Sequence, residues 1–195
     1  MKRGKRRRLS KAERWAIAAG APLADYRGDG LDHLHPNHAD DCLRDALSGG
    51  WGIDDTASAR ETLDWLQNEG HEEDFQARRA GKATSDNAVR DRFVAENPEL
   101  STIRAWDLGR VSCVARWAYA LRYLEEQEAW ERIFRAAQAA QEEFASWRDY
   151  IDNYDAGHDF WADGEMDANQ QKTLKRLRNT VKGPLAKLPW DEDLT

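Results

Sequence analysis

An aspartate and an arginine three residues apart, Asp107 and Arg110, stand in a segment whose other spaced positions, Ile103, Val114, Trp117 and Leu121, are apolar. On a helix all six share one face. Burying an unpaired charge is costly, whereas a hydrogen-bonded pair limits the loss. The plainer expectation is therefore a structural ion pair that fixes how neighbouring helices dock. The sharper one is a polar cleft that binds a small ligand or a partner side chain. His71 lies beside Glu69, Glu72, Glu73 and Asp74, company that suits an imidazole to acid–base work and is also ordinary at a solvated helix end. There its ring would hydrogen-bond the end of the Trp65 helix. His158-Asp159 is an HD dipeptide, and with His71 it follows the ligand order of metal-dependent phosphohydrolases. Such a dipeptide also arises easily by chance.

The densest group of metal-ligand types is His33, His35, His38, Asp40, Asp41 and Cys42. Borderline metals favour imidazole and thiolate, but the spacing is loose and no HExxH or CxxC accompanies it, which favours a solvated loop leading into a helix. Asp25-x-Arg27-x-Asp29-Gly30 fails as a calcium loop, because Arg27 occupies a ligand position and Pro36 stands where the bidentate Glu belongs. No Gly-rich phosphate loop opens a helix, and Cys42 and Cys113 lack an evident catalytic partner. No cofactor is predicted.

These residues must be positioned by helices, since helical periodicity dominates and two-residue alternation of Val, Ile, Thr or Tyr does not occur. Ser10-x-x-Glu13 reads as a capping box opening a helix over about 11–19, in preference to a twin-arginine signal. Asn37 is expected to cap a helix through Leu47 that Gly49-Gly50 ends. Asp54 or Asp55 opens another that runs to Gly70. Glu72 to Ser85 reads as a surface connection, and Asp86 to Glu96 as a short helix before Pro98. The segment of about 101–124 carries a heptad seam plus a second apolar strip of Leu108, Val111, Ala115 and Ala118, so it should be the buried centre. From Trp130 to Tyr154 steps of three and four demand one long helix, or two broken near Ser146. Asp167 to Lys182 is a basic final helix, and Asp191-Glu192-Asp193 a frayed tail.

Nine tryptophans offset the 33% of charged residues and make wholesale disorder implausible. They read mainly as core, and any that proves exposed would mark a contact surface. Residues 1–14 carry eight Lys or Arg against one acid, so the remainder, with 21 basic and 35 acidic residues, has a net charge of −14. That excludes the body as a duplex binder, because phosphate neutralisation needs Lys and Arg. An anionic partner would have to meet the N-terminal arm or the basic last helix. Two distant cysteines fit a reducing compartment, and no apolar run reaches the length of about 20 residues needed to span a bilayer. The expectation is a cytoplasmic protein.

Several segments in order carry a resemblance: Trp51-Gly52-Ile53, Trp65-Leu66-x-x-Glu69-Gly70-His71, Ala105-Trp106-Asp107-Leu108-Gly109-Arg110, and Ser146-Trp147-x-x-Tyr150 leading to Tyr154-x-x-Gly157-x-x-x-Trp161. Together, over about Trp15 to Trp161, the chain resembles the bacterial family of unknown function numbered 1266, which includes the YbeU and YbeR proteins. The resemblance implies an all-α fold and a bacterial source and transfers no catalytic residue. The family pattern near Gly157 often continues with Arg where this chain has His158.

The sequence thus predicts an all-α, single-domain irregular helical bundle of about seven helices around a buried central helix of about residues 101–124. A disordered basic arm is expected over 1–10, a helical domain over 11–165, and a basic helix with an acidic tail over 166–195. The leading expectation for function is a non-enzymatic interaction module that recognises another protein, or a small molecule, through Asp107, Arg110, Trp106, Trp147 and Tyr150. The alternative is a metal-dependent or acid–base hydrolase built around His71, Asp107, Arg110 and His158. An enzyme needs such groups within a few ångströms around one pocket.

Overall fold

The computed structural model describes residues 7–162 and 166–194; the greater part of the expected arm, residues 1–6, lies outside them. Ten α-helices occur among the described residues: α1 Lys11–Ala18, α2 Ala21–Arg27, α3 Asp40–Trp51, α4 Thr56–Asn68, α5 Gly70–Arg79, α6 Ala88–Glu96, α7 Arg104–Ala120, α8 Glu126–Glu143, α9 Trp147–Trp161 and α10 Ala168–Leu177. They form an all-helical bundle in which the described residues contain no strand.

The bundle is organised by α7. All of its residues from Ala105 to Ala118 are buried, and α1, α2, α3, α4, α5, α8 and α9 all pack on it. A helix that is apolar around most of its circumference has no face to give to water, so it can only be stable when enclosed.

Local chemistry sets where most elements begin. Ser10 and Glu13 form the reciprocal capping box that opens α1. Asp55 with Ser58 opens α4, and Asp167 with Gln170 opens α10. Between α8 and α9 the chain turns extended at Phe144, and the Ser146 side chain accepts from Asp149 N, so the stripe from Trp130 to Tyr154 belongs to two helices. At α3 the N-cap is Ala39, whereas Asn37 instead donates its backbone N–H to Asp29. Gly49 and Gly50 remain helical, and Gly52, at φ 65°, ends the helix.

Two stretches differ from the sequence-based expectation. Residues 72–85 are not a simple connection, because α5 runs to Arg79, burying Phe75 and Arg78. The acidic tail is not frayed. Leu185 and Leu194 are buried, Glu192 pairs with Lys11, and Gln141 donates to the Trp190 and Glu192 carbonyls. The last residues of the expected arm are also fastened: Arg7 pairs with Glu13 and Leu9 is buried.

Candidate functional site

Asp107 is fully buried on α7, and its partner is not Arg110. One oxygen accepts from His71 Nδ1 at 2.7 Å and the other from Glu72 N at 3.0 Å. Both donors belong to the first turn of α5, whose unsatisfied N–H groups attract a carboxylate. Gly70 makes this approach feasible. It sits at φ 63°, and a Cβ there would collide with the Asp107 carboxylate. The structural ion pair expected between Asp107 and Arg110 is therefore replaced by an inter-helix cap. Arg110 points elsewhere because its natural partner already serves α5.

Arg110 Nη1 donates to the Trp106 carbonyl at 3.1 Å, and the guanidinium lies on the Trp106 ring. The rings of Trp51, Tyr154 and Trp161 are centred 6.0, 5.7 and 5.8 Å away. No carboxylate among the described residues lies within ion-pair reach of it. Burial draws its pKa down to about 10, partly offset by Tyr154 and Asp107, so it stays charged at neutral pH. Aromatic faces can return about 2 kcal/mol to a desolvated cation, less than a matched carboxylate supplies.

Arg110 and His71 both open onto a cleft of about 1190 Å³ between the end of α3, the exposed edge of α4 and the end of α9. Trp51, Trp65 and Trp161 wall it, Ser58, Thr62 and Asn68 line it, and Glu61, Asp64 and Glu69 complete its lining. The His71 ring is held edge-on by Trp65 at 5.0 Å, with Trp106 at 6.3 Å and Trp161 at 6.5 Å. Trp161 is 49% exposed, unusual for so large an apolar side chain. Behind Arg110 and Trp161 lies a second, smaller chamber of about 80 Å³ that also touches Trp106, Tyr154 and His158.

The structure brings His71, Asp107, Arg110 and Trp106 together and sets His158 against the same two indoles, 5.5 Å from Trp106 and 6.5 Å from Trp161. Trp147 and Tyr150, expected to bind a partner, belong to the core instead. Trp147 packs on Trp15 at 4.5 Å and Trp190 at 4.9 Å, and the Tyr150 hydroxyl donates to the Ala19 carbonyl. Burial raises the Tyr150 pKa well above the usual phenol value. Their helical stripe carries them inward.

The three loop histidines do not converge. His35 contacts the Pro36 carbonyl, His38 meets the Arg27 carbonyl and Asp29, and His33 lies by Asp32. Among the described residues no three His, Cys, Asp or Glu side chains gather as a metal would require. That loop is instead pinned by buried Arg116, which donates to the Gly30, His33 and Leu34 carbonyls, and by Asp29, which accepts from Trp117 Nε1. Cys113 donates its thiol to the Gly20 carbonyl, and burial pushes its pKa up to about 12, so it is not a ready nucleophile. Sequence reasoning left out Trp51, Trp65 and Trp161 as cleft walls. Their place at or near helix ends, where a large ring can border a groove, was the available signal.

Fold and site together define an all-α bundle with one histidine–aspartate pair and one carboxylate-free arginine bordering an aromatic cleft. The chain belongs to the family described as "Protein of unknown function (DUF1266)", whose model matches residues 46–190. That span takes in the cleft and runs on through α10. No curated protein and no solved structure matches. Among the described residues no helix is long and apolar enough to cross a membrane.

Proposed function

We propose that the cleft is an acid–base site acting on a small polar substrate, with hydrolysis as the reaction class. The observation that carries this is the 2.7 Å contact between His71 Nδ1 and buried Asp107 at the wall of an open cleft. A carboxylate accepting from Nδ1–H selects the tautomer whose Nε2 lone pair is free, which is what a general base needs. Nε2 takes a proton from water as its oxygen adds to the substrate's electrophilic carbon, and returns it to the leaving group. Asp107 is then a positioning residue and touches no substrate. The cytoplasmic setting expected from the sequence suits such an enzyme.

The test is hydrolysis by the whole protein of a panel of N-acyl amino acids and acyl esters of hydroxy acids, followed by proton release. His71→Asn should lower turnover by about 10²- to 10⁴-fold. No turnover above buffer across the panel, or turnover indifferent to His71→Asn, would sink the reading.

A second reading, recognition of another protein, is favoured by one observation: Trp161 and Tyr26, 49% and 41% exposed, flank the inner chamber on one face. Exposed aromatics of this kind anchor interfaces. Under it Trp161→Ala would abolish capture of a partner while His71→Asn left capture intact. The anionic partner expected for the basic termini gains less support, because Arg176 and Arg178 already pair with Asp25, Asp152 and Asp155.

A further inference from the structure

We infer that the small chamber behind Arg110 is a seat for a single carboxylate group, and that ligands of this protein are monoanionic carboxylates. The inference names the anionic end of the substrate proposed above, and rests on that reading only in placing this end next to His71.

Three observations lead to it independently of catalysis. Arg110 is 8% exposed and has no carboxylate partner among the described residues, although a buried arginine without one forfeits the attraction that would offset its desolvation. Its Nη1 is engaged by the Trp106 carbonyl, which leaves part of the planar fork open. Trp106, which borders the same chamber, carries an indole Nε1 that is buried and unpaired among the described residues. An orphaned indole N–H keeps its desolvation cost if nothing accepts from it. Two residues that border one chamber thus carry donors without an acceptor, which an oxyanion supplies.

Size and charge choose among oxyanions. About 80 Å³ holds a few heavy atoms and no ring. Arg110 is the one arginine or lysine bordering the chamber among the described residues, with His158 the other titratable base there, so a monoanion is matched by the fixed charge and a phosphate dianion is not. A guanidinium fork also meets a carboxylate in two parallel hydrogen bonds. Arg110 and Trp161 border both spaces, so a ligand anchored at Arg110 lies beside the outer cleft that His71 also borders.

The test uses the full-length protein with sodium acetate, sodium propionate and inorganic phosphate as probes, at constant ionic strength, read by tryptophan fluorescence and thermal shift. Saturable binding of acetate and propionate is expected, with phosphate weaker by about tenfold or more. Arg110→Met should abolish it, and Trp106→Phe should weaken it by about fivefold to tenfold while preserving the ring. Trp106→Phe keeps the test decisive should Arg110→Met fail to fold. Carboxylate binding must survive in His71→Asn, which separates this inference from the acid–base reading. Absence of saturable carboxylate binding, phosphate binding as tight, or binding unchanged in Trp106→Phe each overturns it.

Discussion

Asp107 serves two partners with its two oxygens, and both lie on the first turn of α5. A neutral amide at this position keeps one acceptor and turns an NH2 toward the other donor, so a buried N–H would face a second donor. Asp107→Asn should therefore cost about 1–3 kcal/mol in chemical denaturation, and it should also move the His71 proton from Nδ1 to Nε2. Imidazole nitrogen chemical shifts report that move. Gly70→Ala should be at least as damaging, about 2–4 kcal/mol, since it adds backbone strain at positive φ to a collision with the Asp107 carboxylate. A Gly70→Ala protein as stable as the parent would refute this close approach. By contrast Arg110→Met should leave stability unchanged or raise it, because an unpaired buried charge is replaced by an apolar chain of similar length. A large loss of melting temperature in that variant would mean that the arginine holds the fold together.

At the scale of elements, α5 and α6 share an apolar cluster in which Phe93 and Val94 pack against Phe75, Ile103 and Phe160, and they are clasped as well by charge. Arg78 reaches Asp74 at 3.0 Å and Asp91 at 2.7 Å, Arg90 reaches Asp74 at 2.7 Å, and Arg78 also donates to the Ser85 carbonyl. Burial works to raise the Asp74 pKa, but Arg78 and Arg90 together hold it below the usual carboxylate value. A carboxylate depressed in the folded state contributes stability that is complete above its unfolded pKa and disappears as pH falls through the folded one. Acid should thus loosen the α5–α6 clasp first below the ordinary carboxylate range, and Asp74→Asn should flatten that part of the stability–pH curve. An identical curve for the variant would count against it. This clasp explains why α5 was hidden in the sequence: half of its residues are charged, and Phe75 with Arg78 is too thin a stripe to announce a buried helix. The central helix was legible because apolar residues cover most of its circumference, whereas the stripe from Trp130 to Tyr154 fitted one helix as well as two, and only the extended backbone at Phe144 and the Ser146 cap settle it as two. The separation of Asp107 from Arg110 was not, since a three-residue spacing is equally compatible with pairing and with two divergent partners. Only the position of α5 in space decides between them.

At the scale of the whole bundle, the described residues 185–194 close it. Trp190 sits 5.1 Å from Trp15 and 4.9 Å from Trp147, so the first helix, α9 and the tail share one aromatic cluster. Each of the three indoles donates across the chain: Trp15 to the Pro189 carbonyl, Trp147 to that of Leu188, and Trp190 to that of Phe144. A segment that provides acceptors to α1 and α9 is part of the core and not an appendage to it. The acidic letters of the tail concealed this, because Leu185, Leu188, Trp190 and Leu194 are spaced too irregularly for any single helix or strand. The consequence is cooperative. Trp190→Ala should cost about 2–4 kcal/mol, and the loss should appear in a single unfolding transition followed identically by far-ultraviolet circular dichroism and tryptophan fluorescence. Two separated transitions, with the helical signal of α1 to α9 retained after the first, would mean that the C-terminal residues fold as an independent cover. With one transition, a change in the tail would be felt at the cleft: α9 carries Trp147 at its first residue and Trp161 at its last, and a helix that loses its anchor at one end displaces the ring that borders Arg110 at the other.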